Sequence, residues 1–203
     1  MQGIMKIIRL DGRCGGRRPD NMCKILKEIQ GKTAGDLLKK YGMENQTPVR
    51  INELLKKIGI DVISADFSGI EKKAGYQQGE VLGATLIIGD DVTIFYREDS
   101  SDNRIRFTIA HELAHCCIHT NQLKETNIQL RQTGNQEGAE KDANVFAGEL
   151  LIPKNSLIKY YEELIIPSLK VLAEIFMVST SVMAARLDWL NLPYFKDTDV
   201  NEG

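Results

Sequence analysis

No apolar run in this 203-residue sequence approaches the roughly 20 residues needed to cross a bilayer, which argues against a membrane-spanning chain. The opening stretch MQGIMKIIRLDG is broken by Lys6 and Arg9, and its apolar segment is too short for a signal peptide. Cysteine is sparse. Cys14, Cys23, Cys116 and Cys117 form no C-x-x-C pair and no dense disulfide pattern, so a reducing cytoplasm is the expected compartment. Charge of one sign is also lacking: a net charge of −2 leaves no global positive field to collect nucleic acid or anionic lipid. With 42% hydrophobic residues, the chain has enough apolar material to bury a core as one domain with a small appendage.

Three unequal parts follow from composition and pattern. Residues 1–46 are basic, with ten Lys/Arg against five Asp/Glu, and Gly-rich DGRCGGRRPD reads as a loop before one or two short helices punctuated by Gly31 and Gly35. A charge run of this kind, with no interleaved aromatics for base stacking, is expected to be a solvated extension. Residues 47–154 are more regular. Thr47 as N-cap, Pro48 at the first helical position and Gly59 past the end frame a helix with Val49, Ile51, Leu54, Leu55 and Ile58 on its apolar face. IDVISADF, EVLGATLIIG and DVTIFYR read as strands, the last two as a hairpin through Gly89-Asp90-Asp91. The Ser100-Ser101-Asp102 cluster offers an N-cap for a following helix, and EGAEKDANVFAGELLI fits another that ends at Pro153. Residues 155–203 form a C-terminal segment that reads as helical to 192. The expected class is α+β, with a short mixed or antiparallel sheet.

All three histidines fall in one stretch, FTIAHELAHCCIHT. His111 and His115 are four residues apart and so share one face of a helix, where two imidazole nitrogens can meet one metal ion. Glu112, one residue on, can reach a water bound there. The flanking residues are apolar, and a buried helix does not hold two histidines and a glutamate without partners. Two ligands are too few, because a catalytic zinc takes three protein ligands and a water. His119 is a poor third, a further turn along the same helix with no glycine to bend the chain back. A carboxylate must complete the site, and the next helix offers Glu137, Glu140, Asp142 and Glu149. Glu140 flanks the apolar face made by Ala139, Ala143, Phe146, Ala147, Leu150 and Leu151, while Glu137 and Asp142 read as more exposed.

The segments RFTIAHELAHCCIH and EKDANVFAGELLIP resemble the ImmA/IrrE family of metallopeptidases, whose pattern is RFTxAHELGHxxLH followed by ExxANxFAxxLLMP. The likeness extends over about residues 47–192. It implies a small zincin-like metalloprotease core with one Zn2+ per chain, held by His111, His115 and Glu140, with Glu112 as the catalytic glutamate. Asn144 stands where similar enzymes place an Asp that orients a ligand histidine, which implies that role for it. Ala114 and Ile152 depart from the family's usual Gly and Met. The first 46 residues have no counterpart in the pattern.

Zinc would polarise the scissile carbonyl and acidify a water, and Glu112 would serve as general base. His119, Tyr96, Tyr160 and Tyr161 are the candidates for oxyanion or substrate contacts. DVTIFYR is expected as an ordinary core strand; as an edge strand it would instead take an extended substrate by strand addition.

The segment SLKVLAEIFMVSTSVMAARLDWLNL has helix-turn-helix spacing, but its second helix carries only Arg186 as a base reader. Residues 155–203 hold four Lys/Arg against seven Asp/Glu, a surface that repels phosphate. It reads as a packing module, with no direct DNA binding and no membrane association. The family resemblance implies a protein substrate, such as a helix-turn-helix repressor of a mobile element or stress response. Set against that is a non-catalytic or toxin-like interaction protein that keeps the fold. Glu112 favours the enzyme, since it has no structural duty in holding zinc.

Overall fold

The computed structural model describes residues 23–118 and 138–196, together with the backbone of 128–132. In chain order the elements are α1 (Lys24–Ile29), α2 (Ala34–Lys40), α3 (Ile51–Ile58), β1 (Ile60–Ala65), α4 (Ser68–Ala74), β2 (Val81–Ile88), β3 (Asp91–Arg97), α5 (Asp102–Ile118), β4 (Ile128–Gln132), α6 (Ala139–Leu151), α7 (Lys154–Glu163), α8 (Leu169–Phe176) and α9 (Thr180–Trp189). The class is α+β. The strands make one mixed sheet in the order β1-β3-β2-β4, with β1 parallel to β3 and the other two pairs antiparallel. Among the described residues no helix is long and apolar enough to cross a membrane.

Strand periodicity decides what each face of the sheet covers. Side chains alternate along a strand, and the register pairs Ile94 with Thr85 and Tyr96 with Gly83. Val92, Ile94, Tyr96, Thr85 and Gly83 therefore share one face, which packs on α5. The opposite face holds Ala84 and Phe95 in a smaller cluster with Val81 and Phe67, just before α4.

Helix α5 lies at the centre. Every residue from Thr108 to Cys117 is buried, with the sheet on one side and α6 and α1 on others. Ser101 accepts the first helical bond, from the Ile105 N–H, within the expected cap cluster. Ala110 and Ala114 on α5, and Ala143 and Ala147 on α6, are fully buried, and these small side chains let the two helices approach closely.

Three features differ from the sequence reading, and one alternative within it is decided. The helix expected from Pro48 begins at Ile51, with Arg50 at its N-cap. Val49 is fully buried, and its carbonyl accepts from both Ile51 N–H and Arg106 Nη2 at 3.0 Å, so tertiary contacts set the start. Strand β3 is the core strand that the sequence favours: it lies between β1 and β2 with both sides paired, which rules out the edge-strand alternative and its strand addition. Residues 23–43 are not a solvated arm, because Cys23, Leu26, Ile29, Ala34, Leu37, Leu38 and Met43 bury in the common core while the lysines of α1 and α2 face water. Residues 1–22 of the basic segment lie outside the described residues. Helix α4 has no counterpart in the reading, since SGIEKKA offers only one turn of apolar spacing.

The C-terminal helices pack as a helix-turn-helix pair on α5 and α6. Ser168 and Ser179 cap α8 and α9, and Met177 between them is left-handed at φ 53. Two side chains from the start of α5 take up the carbonyls of this turn: Asn103 Nδ2 donates to Val178 and Arg106 Nε to Met177, each at 3.1 Å. Arg186, the one basic candidate on the second helix, is buried and donates to the Ile152 carbonyl and to Glu149, each at 3.2 Å.

A buried ion pair fixes α4 to the sheet. Arg97 at the end of β3 pairs with Glu71 and donates from Nε to the Val81 carbonyl at 2.8 Å. Glu71 also accepts the Val81 N–H at 2.8 Å and the Gly79 N–H at 3.2 Å. Burial pushes the Glu71 carboxyl up, but the Val81 N–H, the Arg97 guanidinium and the Gly79 N–H outweigh it and hold it below its ordinary value of 4.5. A lowered folded pKa means that the contribution is present above the unfolded value and is lost as pH falls through the folded one. Arg97→Met should therefore cost about 3–5 kcal/mol near neutral pH, because it strands a buried carboxylate. Urea midpoints measured from neutral pH downward should show that cost shrinking as pH falls through the carboxylate range and Glu71 takes up a proton. An unchanged cost at low pH would place its origin in packing rather than in the pair.

Candidate metal centre

Helix geometry distributes the motif between two neighbours. His111 and His115 stack one turn apart on the face of α5 that meets α6, and Glu112, about 100° round the helix, faces β2. On α6, Glu140 and Asn144 have the same four-residue spacing, so each helix presents a matched pair to the other.

Three donors converge. His111 Nε2 lies 3.0 Å from His115 Nε2 and 3.1 Å from Glu140 Oε2, and His115 Nε2 lies 3.1 Å from Glu140 Oε1. Among the described residues, His111, His115 and Glu140 are the group of histidine, cysteine and carboxylate side chains able to hold one metal ion. Two donors bound to one tetrahedral zinc at about 2.0–2.1 Å lie roughly 3.3 Å apart. The observed separations come within a few tenths of an ångström of that, and the two-nitrogen, one-carboxylate set suits zinc. The residues present fit the ion.

Asn144 sets the tautomer. Its Oδ1 lies 2.9 Å from His111 Nδ1, and an amide oxygen only accepts, so Nδ1 carries the proton and the Nε2 lone pair points into the centre. The histidines are buried, while the Glu140 side chain is 31% exposed. The centre is therefore walled by α5 and open to solvent on the Glu140 side.

The other α6 carboxylates are placed elsewhere. Asp142 is exposed, and Glu149 pairs with Arg186. Glu137 and His119 lie outside the described residues. Of the three tyrosines, Tyr160 stands edge-on to Phe176 at 5.8 Å, and Tyr161 donates its hydroxyl to the Pro193 carbonyl at 2.5 Å. Both belong to the C-terminal packing. Tyr96 is on the α5-facing side of β3, opposite Gly83.

The cysteines beside the motif are packing residues. Burial, then Cys117, then the Glu112 carboxylate push the Cys116 thiol well up, against a smaller downward pull from Thr85. Burial alone takes Cys117 to about 12, so both stay protonated as small hydrophobes.

The family model for the IrrE N-terminal-like domain of peptidase M78 matches residues 55–188. The chain belongs to this ImmA/IrrE family of metallopeptidases. A search of curated proteins gives no match. The M78 match runs from within α3 to the last turn of α9, so it takes in the metal centre and the C-terminal helix pair alike. Two residues that pack against Glu112 escaped the sequence reading. Thr85 donates its hydroxyl to Glu112 Oε2 at 2.7 Å, and Gly83 lies close under the same helix. On sequence both are ordinary positions in a strand, and only the alternation G-x-T shows that they share a face.

After dialysis, elemental mass spectrometry should find about one zinc per chain in the wild type and a sharply reduced content in Glu140→Ala. Asn144→Leu should weaken zinc affinity by about 10–100-fold while the ligands stay in place. Equal zinc retention by the wild type and Glu140→Ala would remove Glu140 from the centre.

Proposed function

We propose that this metallopeptidase is a zinc-dependent endopeptidase of the cytoplasm that cleaves a specific regulatory protein, with Glu112 as its general base. The observation that carries the reading is the convergence of His111, His115 and Glu140 beside a glutamate that is buried yet not part of the donor set. A zinc ion held by those three residues supplies Lewis-acid polarisation of the scissile carbonyl and acidifies the attacking water. Glu112 removes a proton from that water and returns it to the nitrogen of the leaving amine, so the carboxylate is regenerated in each cycle. Asn144 keeps His111 in the tautomer that leaves Nε2 free to bind. Tyr96 is the tyrosine whose strand position favours a contact with substrate or the developing oxyanion, since Tyr160 and Tyr161 are taken up in packing.

The substrate class follows from the resemblance in sequence: a helix-turn-helix repressor of a mobile element or stress response. The chain's own helix-turn-helix pair speaks against DNA binding by this chain, because Arg186 is committed to Glu149 and the Ile152 carbonyl.

Glu112→Gln should retain zinc at the wild-type level and lose peptide-bond hydrolysis by several orders of magnitude. The check is metal content together with cleavage of a co-purified repressor, read by mass spectrometry of the fragments. Cleavage that survives the substitution would take Glu112 out of the chemistry.

A further inference from the structure

Glu112 is held by a neighbour that no motif contains. The hydroxyl of Thr85 on β2 donates to Glu112 Oε2 at 2.7 Å, with both residues almost fully buried. Two residues earlier, Gly83 faces the same helix. A Cβ at Gly83 would come 2.5 Å from Thr108 Cγ2 and 3.2 Å from Glu112 Oε1, closer than side chains tolerate in the first case. A register shift in β2 between Val81 and Ala84, opposite β4, inserts one extra residue. That bulge lets Val81 and Ala84 both stay in the small cluster behind the sheet while Gly83 and Thr85 face α5.

We propose that Gly83 and Thr85 form a seat for the Glu112 carboxylate, with Thr85 as a positioning residue that holds the carboxylate through Oε2 while it exchanges protons with the attacking water. This rests on the reading of Glu112 as general base. A glutamate side chain has several rotatable bonds, whereas threonine is stiff at χ1 and its hydroxyl direction is set by the strand. An ionised acceptor makes this a strong hydrogen bond, near the short end of its range. The bond also survives the reaction. When the carboxylate takes a proton from water on its other oxygen, Oε2 becomes the carbonyl oxygen of the acid and still accepts from Thr85. When that proton passes to the amine, the original carboxylate returns, and Thr85 has lost none. Gly83 contributes by absence: only a residue without a side chain lets α5 come near enough for the 2.7 Å contact.

A packing role and a hydroxyl role separate cleanly, since valine keeps the shape of threonine and serine keeps the hydroxyl. The full chain, loaded with cobalt(II), is titrated with acetohydroxamate and read by the visible spectrum. Acetohydroxamate chelates such an ion and offers a hydroxyl proton to the adjacent base. Thr85→Ser should bind within about twofold of the wild type, and Thr85→Val about tenfold or more weakly, at unchanged metal content. Glu112→Gln should be weakened as well. If Glu112→Gln binds like the wild type, the general-base reading fails and the seat fails with it. If Glu112→Gln is weakened and Thr85→Val is not, the seat alone is overturned. Should Thr85→Val not fold, Thr85→Ala compared with Thr85→Ser gives the same contrast, and equal weakening of those two would assign Thr85 to packing.

Discussion

Burying an ionisable helix face is costly unless each polar group finds a partner, and that constraint organises the molecule around α5. His111, Glu112 and His115 have 0%, 2% and 6% exposure in a helix that is otherwise apolar from Ile109 to Cys117. Their partners come from two other elements. Asn144 and Glu140 reach in from α6, and Thr85 reaches in from β2. The site is thus assembled because the fold must satisfy these groups. The partners that satisfy them also fix how they are oriented.

Those contacts require close approach, and small residues provide it. Ala110 and Ala114 on α5 and Ala143 and Ala147 on α6 are fully buried, and Gly83 clears the way between α5 and the sheet. The same economy of side-chain volume on two sides of one helix sets the distances at the metal centre.

Local signals in the sequence were easily read, and tertiary ones were not. The H-E-x-x-H spacing needs only helix periodicity to put His111 and His115 on one face. Pattern alone left Glu140 among four carboxylates; its selection needs the α5–α6 packing, which a family resemblance supplies and periodicity does not. The start of α3 was misplaced because a capping rule is local, while Val49 is held by Arg106, 57 residues away. Similarly, the order β1-β3-β2-β4 puts a parallel partner beside β3, which no hairpin signal in DVTIFYR announces. The leucines of α1 and α2 were hidden by the lysines between them. Thr85 and Gly83 carry no motif at all; their meaning lies in what they face.

The turn between α8 and α9 has a consequence for how the chain opens. Its two carbonyls are taken up by Asn103 and Arg106 from the first turns of α5, and Arg106 also reaches Val49 ahead of α3. At the far end of α5, the Cys117 carbonyl accepts the N–H of Gly31 in the link after α1. One helix therefore clasps chain segments from both sides of the sequence. Regions coupled in this way share a single cooperative unit in exchange and proteolysis, rather than fraying as separate foldons. A nick in the C-terminal helices would be transmitted to the histidines, and the peptidase would lose its centre along with its tail.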